Sequence, residues 1–296
     1  MVTLGRLGFV GVGSAEATRL LSQPKRAALL IYVLMSQRGG SVSRDQIVGT
    51  FWPESDSARA RNSLRQALSF LRTCLGDQAI LSIGAHGVAV AETVMCDALR
   101  FEELLDANRK EEALGIYEGE LLPGFHGGGT IAFEEWLDAR RHHLSRRAAK
   151  AAWDLSAECE ARSELQGAAF WGKRALALSP FSESEVQRLL RLLVRVRDLA
   201  GAMRAFHGLQ KSLLAEFGSQ PSAETARLGA DIERQLHAKR LPVPAIVGTR
   251  RSGKDRRVAD RRKPQADWKG VERRRGEDRR KNERRSGTDR RSNPHQ

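Results

Sequence analysis

Cysteine and long apolar runs are scarce in this chain of 296 residues. Its three cysteines, Cys74, Cys96 and Cys159, are far apart and form no CxxC pair, so the sequence supports neither a disulfide framework nor a zinc knuckle. No stretch approaches the roughly 20 apolar residues that cross a bilayer, and the N-terminus lacks the pattern of a secretory signal. We therefore expect a cytoplasmic protein with no membrane partner. Its composition, 41% hydrophobic, is sufficient for one large or two ordinary folded domains.

Charge is distributed unevenly along the chain. Residues 1–96 contain 10 Lys and Arg against 6 Asp and Glu, a net charge of +4. Residues 97–244 contain 21 against 22, a net −1, and residues 245–296 contain 19 against 8, a net +11. A basic balance indicates a polyanionic partner. The sequence therefore predicts a mildly basic first segment, a neutral body and a strongly basic tail.

Three helices and a hairpin are predicted between residues 24 and 90. An apolar stripe with helical spacing follows Pro24 and ends at two glycines, and Ser43 with Gln46 resembles a capping box at the start of a second helix. Pro53 ends that helix. The stretch "AILSIGAHGVAV" predicts a hairpin, and "VTLGRLGFVGVG" near the N-terminus predicts one or two short strands. This order of elements is typical of a winged helix-turn-helix.

The third helix, residues 57–75, has two different faces. One face is apolar: Ala60, Leu64, Ala67, Leu68, Leu71 and Leu75. The other carries side chains that can pair with bases or hold a phosphate: Arg59, Asn62, Arg65, Gln66 and Ser69. We expect these five side chains in a DNA major groove, with Arg61 and Arg72 on the flanking phosphates. A solvated surface helix has a similar pattern, but the lack of acidic residues between Ala58 and Gly76 favours DNA.

Residues 24–90 resemble the OmpR-like winged-helix domain of SARP-type bacterial transcriptional regulators. The resemblance depends on "QPKRAALLIYVLM", "SRDQIVGTFWP" and "ARNSLRQALSFLRTCLG". The following segments, "CDALRFEELLDANRKEEALGIYEGELLPGF" and "FEEWLDARRHHLSRRAAKAAWDL", are similar to the bacterial transcriptional activator domain of the same regulators. The resemblance implies that the helical domain mediates self-association. It also implies that the winged domain meets RNA polymerase, and we assign that contact to the turn from Glu54 to Ser57.

The body of the chain is predicted to be helical throughout. "AAFWGKRALALSPFSE" has the spacing of the second helix of a tetratricopeptide hairpin, with Pro180 as its end. Two further helices separate near Asp198, and "SAETARLGADIERQL" predicts a last one. The spacing from Pro180 to Pro221 exceeds the 34-residue repeat, so the array is degenerate. Stacked helical hairpins form a groove for proteins or peptides.

Three patterns in the sequence partly resemble a catalytic, cofactor or metal site, and none of them is complete. Gly248 to Lys254 fit GxxxxGK, but Asp255 stands where a magnesium-binding hydroxyl is needed, and "RRSGKDRR" recurs as "RRSGTDRR". The adjacent His142 and His143 point in different directions on a helix, which favours a solvated or interface role over a shared metal. The glycines near the N-terminus do not fit GxGxxG. We expect no catalytic residues, no cofactor and no metal.

The sequence thus predicts a mainly α protein with three parts: a winged helix-turn-helix (α+β) over residues 1–93, a TPR-like all-α domain over 97–240, and a disordered Arg-rich tail over 241–296. Its predicted function is sequence-specific transcriptional regulation on double-stranded DNA, as an activator associated with the nucleoid. Homodimerisation and RNA polymerase are the implied protein contacts. The alternative is a protein-interaction adaptor with only non-specific, tail-driven nucleic-acid binding.

Overall fold

The computed structural model describes residues 1–37, 40–125, 130–179 and 182–240, which lie within one compact unit. In these ranges, eleven α-helices and one short 3-10 helix, Asp77–Ala79, accompany a three-stranded sheet. None of these helices is long and apolar enough to cross a membrane. The predictions about the basic tail, the GxxxxGK segment and Pro180 fall outside the described residues.

The first part of the chain is a winged helix-turn-helix preceded by an additional helix. Its elements are α1 (Ser14–Leu21), α2 (Pro24–Ser36), β1 (Val42–Ser43), α3 (Arg44–Phe51), α4 (Ser57–Leu75), β2 (Ile80–Ile83) and β3 (Gly87–Val90). Both β1 and β2 pair antiparallel with the central β3, so that Val42 faces Val88 and Ile80 faces Val90. The helices and hairpin predicted from residue 24 onward are confirmed, whereas α1 was not predicted.

The prediction of one or two short strands near the N-terminus is wrong. Two isolated bridges form instead, one between Val2 and Gly8 and one between Leu4 and Leu121. The backbone at Gly5 and Gly11 adopts positive φ values of 78° and 81°, which glycine tolerates and which turn the chain before a strand can extend.

The second part is a series of antiparallel helices. Its elements are α5 (Asp97–Asp106), α6 (Lys110–Ile116), α7 (Ile131–Ala161), α8 (Leu165–Leu178), α9 (Glu183–Arg195), α10 (Leu199–Phe217) and α11 (Ala223–Arg240). The turns after α5, α7 and α9 each contain a non-glycine residue with positive φ, namely Asn108, Ser163 and Arg197. Ser163 and Arg197 are 34 residues apart, which is the tetratricopeptide period. The all-α, TPR-like architecture is confirmed.

The two parts share one hydrophobic core through the start of α7. The Phe51 ring lies 5.2 Å from the Phe133 ring, and the Tyr32 ring lies 4.9 Å from that of Trp136. The Thr130 hydroxyl, which caps α7, also donates to the backbone carbonyl of Thr50 at 2.5 Å. The helical part therefore packs against α2 and α3, and the polar edge of α4 stays exposed.

Candidate nucleic-acid interface

Helix α4 buries one of its faces in the hydrophobic core. Asp56 caps its start by accepting a hydrogen bond from the backbone nitrogen of Arg59 at 2.9 Å, and the chain leaves the helix at Gly76, where φ is 98°. The residues it buries recur every three or four positions: Ala60, Leu64, Ala67, Leu68, Leu71 and Cys74. Leu75, which we expected on this face, is only half-buried. The apolar face fixes which side of α4 meets solvent.

The predicted base-reading side chains share one exposed edge of α4. All five are exposed: Arg59, Asn62, Arg65, Gln66 and Ser69. Of the two predicted flanking residues, Arg61 is exposed, whereas Arg72 is half-buried. At 100° per residue the exposed edge spans the sector between Phe70 on one side and Arg72 on the other.

Several of these side chains already have partners within the protein. Arg59 lies 3.6 Å from Asp56 and Arg61 lies 3.5 Å from Asp45, both as exposed ion pairs. Such pairs contribute little to stability and are readily exchanged for another anion. Arg65 donates to the amide oxygen of Asn62 at 3.1 Å.

Arg72 connects α4 to the hairpin. Its Nε donates to the Ile80 carbonyl at 3.0 Å, and its Nη2 donates to the Ser82 hydroxyl at 3.3 Å. Arg44, at the start of α3, donates to the same hydroxyl at 3.1 Å. The turn of the hairpin exposes His86 and has no Lys or Arg. This wing therefore offers no fixed positive charge to a minor groove.

The cations around α4 differ from those of the helical part in how they are paired. Most Lys and Arg side chains of α5 to α11 lie within 4.0 Å of a carboxylate, as Arg140 does with Glu102 at 2.7 Å. In the described ranges, five arginines on α1 to α4 have no carboxylate at that distance: Arg19, Arg26, Arg44, Arg65 and Arg72. The surface around α4 thus carries positive charge that the protein itself does not neutralise.

The sequence did not predict Arg19, Arg26 or Arg44 as part of this surface. The guanidinium carbons of Arg19 and Arg26 lie 5.5 Å and 4.2 Å from the centroid of the Phe70 ring, within the range of a cation–π contact. Nearby, the Lys25 ammonium lies 5.0 Å from the Trp52 ring, and burial lowers the pKa of Lys25. Arg19 lies on α1, and Lys25 and Arg26 lie on α2. No local pattern in the sequence indicates that these two helices approach α4.

One of the two adjacent histidines, His143, takes part in the contact between α5 and α7. The Nε2 atom of His143 lies 3.2 Å from Glu102, which also binds Arg140 and Arg147. His142 lies against the backbone carbonyl of Asp138 at 2.8 Å. No cluster of potential metal ligands occurs within the described ranges.

A second surface feature is an apolar groove of about 400 Å³ between α8, α9 and α10. Its wall is formed by Leu176, Val186, Leu189, Leu193, Ala205 and Leu209. Lys173 and Arg204 lie beside it. Stacked helical repeats in general bind partners on extended concave surfaces.

Comparisons with known proteins match both parts of the chain. Residues 96–233 match the family model "Bacterial transcriptional activator domain". The regulatory protein AfsR of Streptomyces griseus is 25% identical over 255 residues, covering 78% of this chain and 25% of AfsR. The transcriptional regulatory protein MoaR1 of Mycobacterium tuberculosis is 25% identical over 273 residues, covering 83% of this chain and 84% of MoaR1.

A solved structure of Mycobacterium tuberculosis EmbR in complex with a low affinity phosphopeptide is also similar. It is 19% identical, has a TM-score of 0.48, and covers 79% of this chain and 64% of that one. The present chain spans about a quarter of the length of AfsR.

A winged helix-turn-helix followed by a bacterial transcriptional activator domain defines a class of transcription regulators. These matches support the SARP-type bacterial transcriptional regulator that the sequence predicted. The family model describes a transcriptional activator domain, and MoaR1 is a transcriptional regulatory protein.

Proposed function

We propose that this regulator binds double-stranded DNA at specific sequences, with the exposed edge of α4 in the major groove. The observation that carries the proposal is the set of five arginines around α4 without carboxylate partners in the described residues. Unneutralised cations on one surface attract the phosphate backbone and release its counterions. The helix is also free of acidic residues along its length.

The proposed roles follow from side-chain chemistry. Arg65 would fork onto guanine, and Asn62 and Gln66 would pair with adenine. Arg59 and Ser69 complete the base-facing set. Arg61 and Arg72 would contact phosphates, and since Arg72 is held by the hairpin it would also fix the hairpin against α4. Phosphate contacts set the register that base contacts need.

The domains have separate proposed tasks. Residues 1–93 bind DNA, and residues 97–240 mediate self-association or bind a partner. The exposed turn before α4, which includes Glu54 and Asp56, is proposed as the contact with RNA polymerase. A protein engaged in this way would be found with the nucleoid in the cytoplasm.

The test is selection of bound duplexes from a random library by the full chain, followed by competition between the selected and scrambled duplexes at near-physiological salt. A sequence-specific regulator enriches a defined site and prefers it by at least about 10³-fold. Enrichment of no site, with equal retention of every duplex, would overturn the proposal.

The apolar groove on α8 to α10 favours a second candidate function, that of a protein-interaction adaptor whose winged part no longer reads DNA. An adaptor would retain DNA only through its basic tail and without sequence preference. The same competition experiment, repeated on the chain without residues 245–296, separates the two: an adaptor loses all retention, whereas a regulator keeps its preferred site.

A further inference from the structure

Phe70, on the edge of α4, holds two arginines from two other helices. Arg19 lies in the last turn of α1 and Arg26 in the first turn of α2. Their guanidinium carbons are 5.5 Å and 4.2 Å from the centre of the same ring. The two guanidinium groups therefore contact one and the same aromatic ring.

Neither guanidinium uses its hydrogen-bonding capacity within the described residues. Neither side chain makes a hydrogen bond or an ion pair there, and each guanidinium contacts the Phe70 ring. A guanidinium in a cation–π contact keeps N–H donors that can bind an oxyanion. A phosphate close to both groups would be attracted by both charges. The pair is thus pre-organised for a phosphate or another oxyanion.

The position of Arg19 and Arg26 beside α4 favours a backbone phosphate of DNA as the anion. Phe70 borders the exposed edge of α4 on the side of α1, and Arg72 borders it on the side of the hairpin, roughly 160° away across that edge. Gln66, one turn before Phe70, belongs to the proposed base-reading edge. A duplex that takes α4 into its major groove has a phosphate backbone along each border of that groove. One backbone would then pass the Phe70 pair.

We infer that Arg19 and Arg26 bind backbone phosphates of duplex DNA, on the opposite side of α4 from the hairpin. The inference rests on the proposed function of α4. It gives the corner between α1 and α2 the task of gripping the backbone, which the uncharged turn of the hairpin cannot perform. The additional helix α1 thus contributes directly to the interface.

The experiment measures how the affinity of the full chain for its selected duplex and for a scrambled duplex depends on salt. In the double variant Arg19→Gln/Arg26→Gln, the slope of log K against log salt should fall by about 1.8, since each phosphate contact contributes about 0.9. The fall should be equal for the two duplexes because phosphates carry no sequence information. The tail is present in all variants, so its contribution cancels in the comparison.

The matched control is Lys211→Gln/Arg227→Gln, which removes two exposed cations, one from α10 and one from α11, that have no ion pair within the described ranges. Its slope should equal that of the wild type. Phe70→Leu keeps both charges and removes the platform, so it should weaken both duplexes with a smaller change of slope than the double variant. If circular dichroism shows that the double variant is unfolded, each single variant should still lower the slope by about 0.9.

An unchanged slope in folded Arg19 and Arg26 variants would overturn this inference. Should Arg65→Ala still reduce discrimination between the two duplexes in that case, the proposed function of α4 would stand. A duplex-dependent effect would also overturn the inference, because it would make the pair a reader of bases. Loss of the selected site in all assays would instead remove the proposed function itself.

Discussion

The carboxylate of Asp97, at the start of α5, accepts hydrogen bonds from both the backbone nitrogen and the hydroxyl of Thr3, at 2.8 Å and 2.6 Å. It also accepts one from the backbone nitrogen of Leu4 at 3.0 Å. Thr3 is completely buried. The Asp97 side chain therefore helps to tie the first residues of the chain to the helical part.

Asp97→Ala should lower the free energy of unfolding by about 3 kcal/mol, because it leaves three buried donors without an acceptor. Urea unfolding followed by circular dichroism measures the change. Asp231→Ala is the control, since Asp231 forms an exposed pair with Arg234 on α11 and should change stability by less than about 0.5 kcal/mol. Equal effects of the two substitutions would contradict this account of Asp97.

Substitution by alanine should have opposite effects on stability at two helical glycines, Gly208 and Gly229. A Cβ atom at Gly229 of α11 would lie 2.5 Å from the Phe206 ring of α10, whereas one at Gly208 of α10 would meet nothing within 4 Å. Gly208→Ala should stabilise the protein by about 0.5 to 1 kcal/mol through helix propensity. Gly229→Ala should destabilise it by about 1 to 3 kcal/mol because the ring must move. Thermal unfolding of both variants measures the difference, and stabilisation by both would show that α11 does not pack closely on α10.

The sequence predicted those elements whose periodicity is local. Helix α4 and its exposed edge follow from a 3.6-residue pattern, and the hairpin follows from two apolar runs around a turn. Helix α1 was missed because Leu20 is its one buried residue, so it has no apolar stripe. The bridge between Leu4 and Leu121 was missed because its partner lies far along the chain.

The sequence predicted only those residues of the candidate site that lie on α4. Arg19 and Arg26 reach α4 from other helices, and no spacing in the sequence indicates that they share Phe70. The capping box at α3 shows the same limit. The Ser43 hydroxyl accepts from the backbone of Gln46 at 3.2 Å as predicted, but the Gln46 side chain donates to Tyr32 at 3.0 Å. The Gln46 side chain therefore bonds the Tyr32 hydroxyl of another helix, and not the backbone nitrogen of Ser43 as a capping box requires.

Asp198 should make the stability of the helical part sensitive to acid. A hydrogen bond from Lys173, followed by one from the backbone of Gly201, holds the pKa of the Asp198 carboxyl below its ordinary value of 3.8. A lowered pKa means that the stabilisation is present above about pH 4 and is lost as the pH falls through the folded-state pKa. Because the carboxylate is partly exposed, the contribution should stay below about 1 kcal/mol.

Asp198→Asn tests this sensitivity, because asparagine caps a helix as well as aspartate does but does not titrate. The loss of stability between about pH 6 and about pH 3 should be smaller in the variant than in the wild type, as measured by urea midpoints. Identical losses would mean that the pair with Lys173 has no part in acid unfolding.

Deletion of residues 245–296 should reduce the salt dependence of binding to every duplex. The deleted segment contains 19 Lys and Arg against 8 Asp and Glu, and solvated cations bind polyanions without regard to sequence. The slope of log K against log salt should fall equally for selected and scrambled duplexes, and their affinity ratio should stay the same. A changed ratio would show that the tail takes part in specificity.

Arg65→Ala should cost about 1 to 3 kcal/mol at the selected site and leave affinity for scrambled DNA nearly unchanged. Arg65 is exposed in the middle of the α4 edge and lies 3.1 Å from the amide oxygen of Asn62, so the two side chains can approach neighbouring bases together. The measurement is a competition assay with both duplexes. Arg146→Ala, an exposed arginine on α7, is the control and should change neither affinity.

Arg65→Lys separates the charge of Arg65 from its shape. A lysine keeps the positive charge but cannot form the two parallel hydrogen bonds of a guanidinium with guanine. The variant should therefore retain affinity for scrambled DNA and lose most of the preference for the selected site. If Arg65→Ala weakened both duplexes equally and Arg65→Lys restored both, Arg65 would be a phosphate contact, because charge alone would then explain its effect.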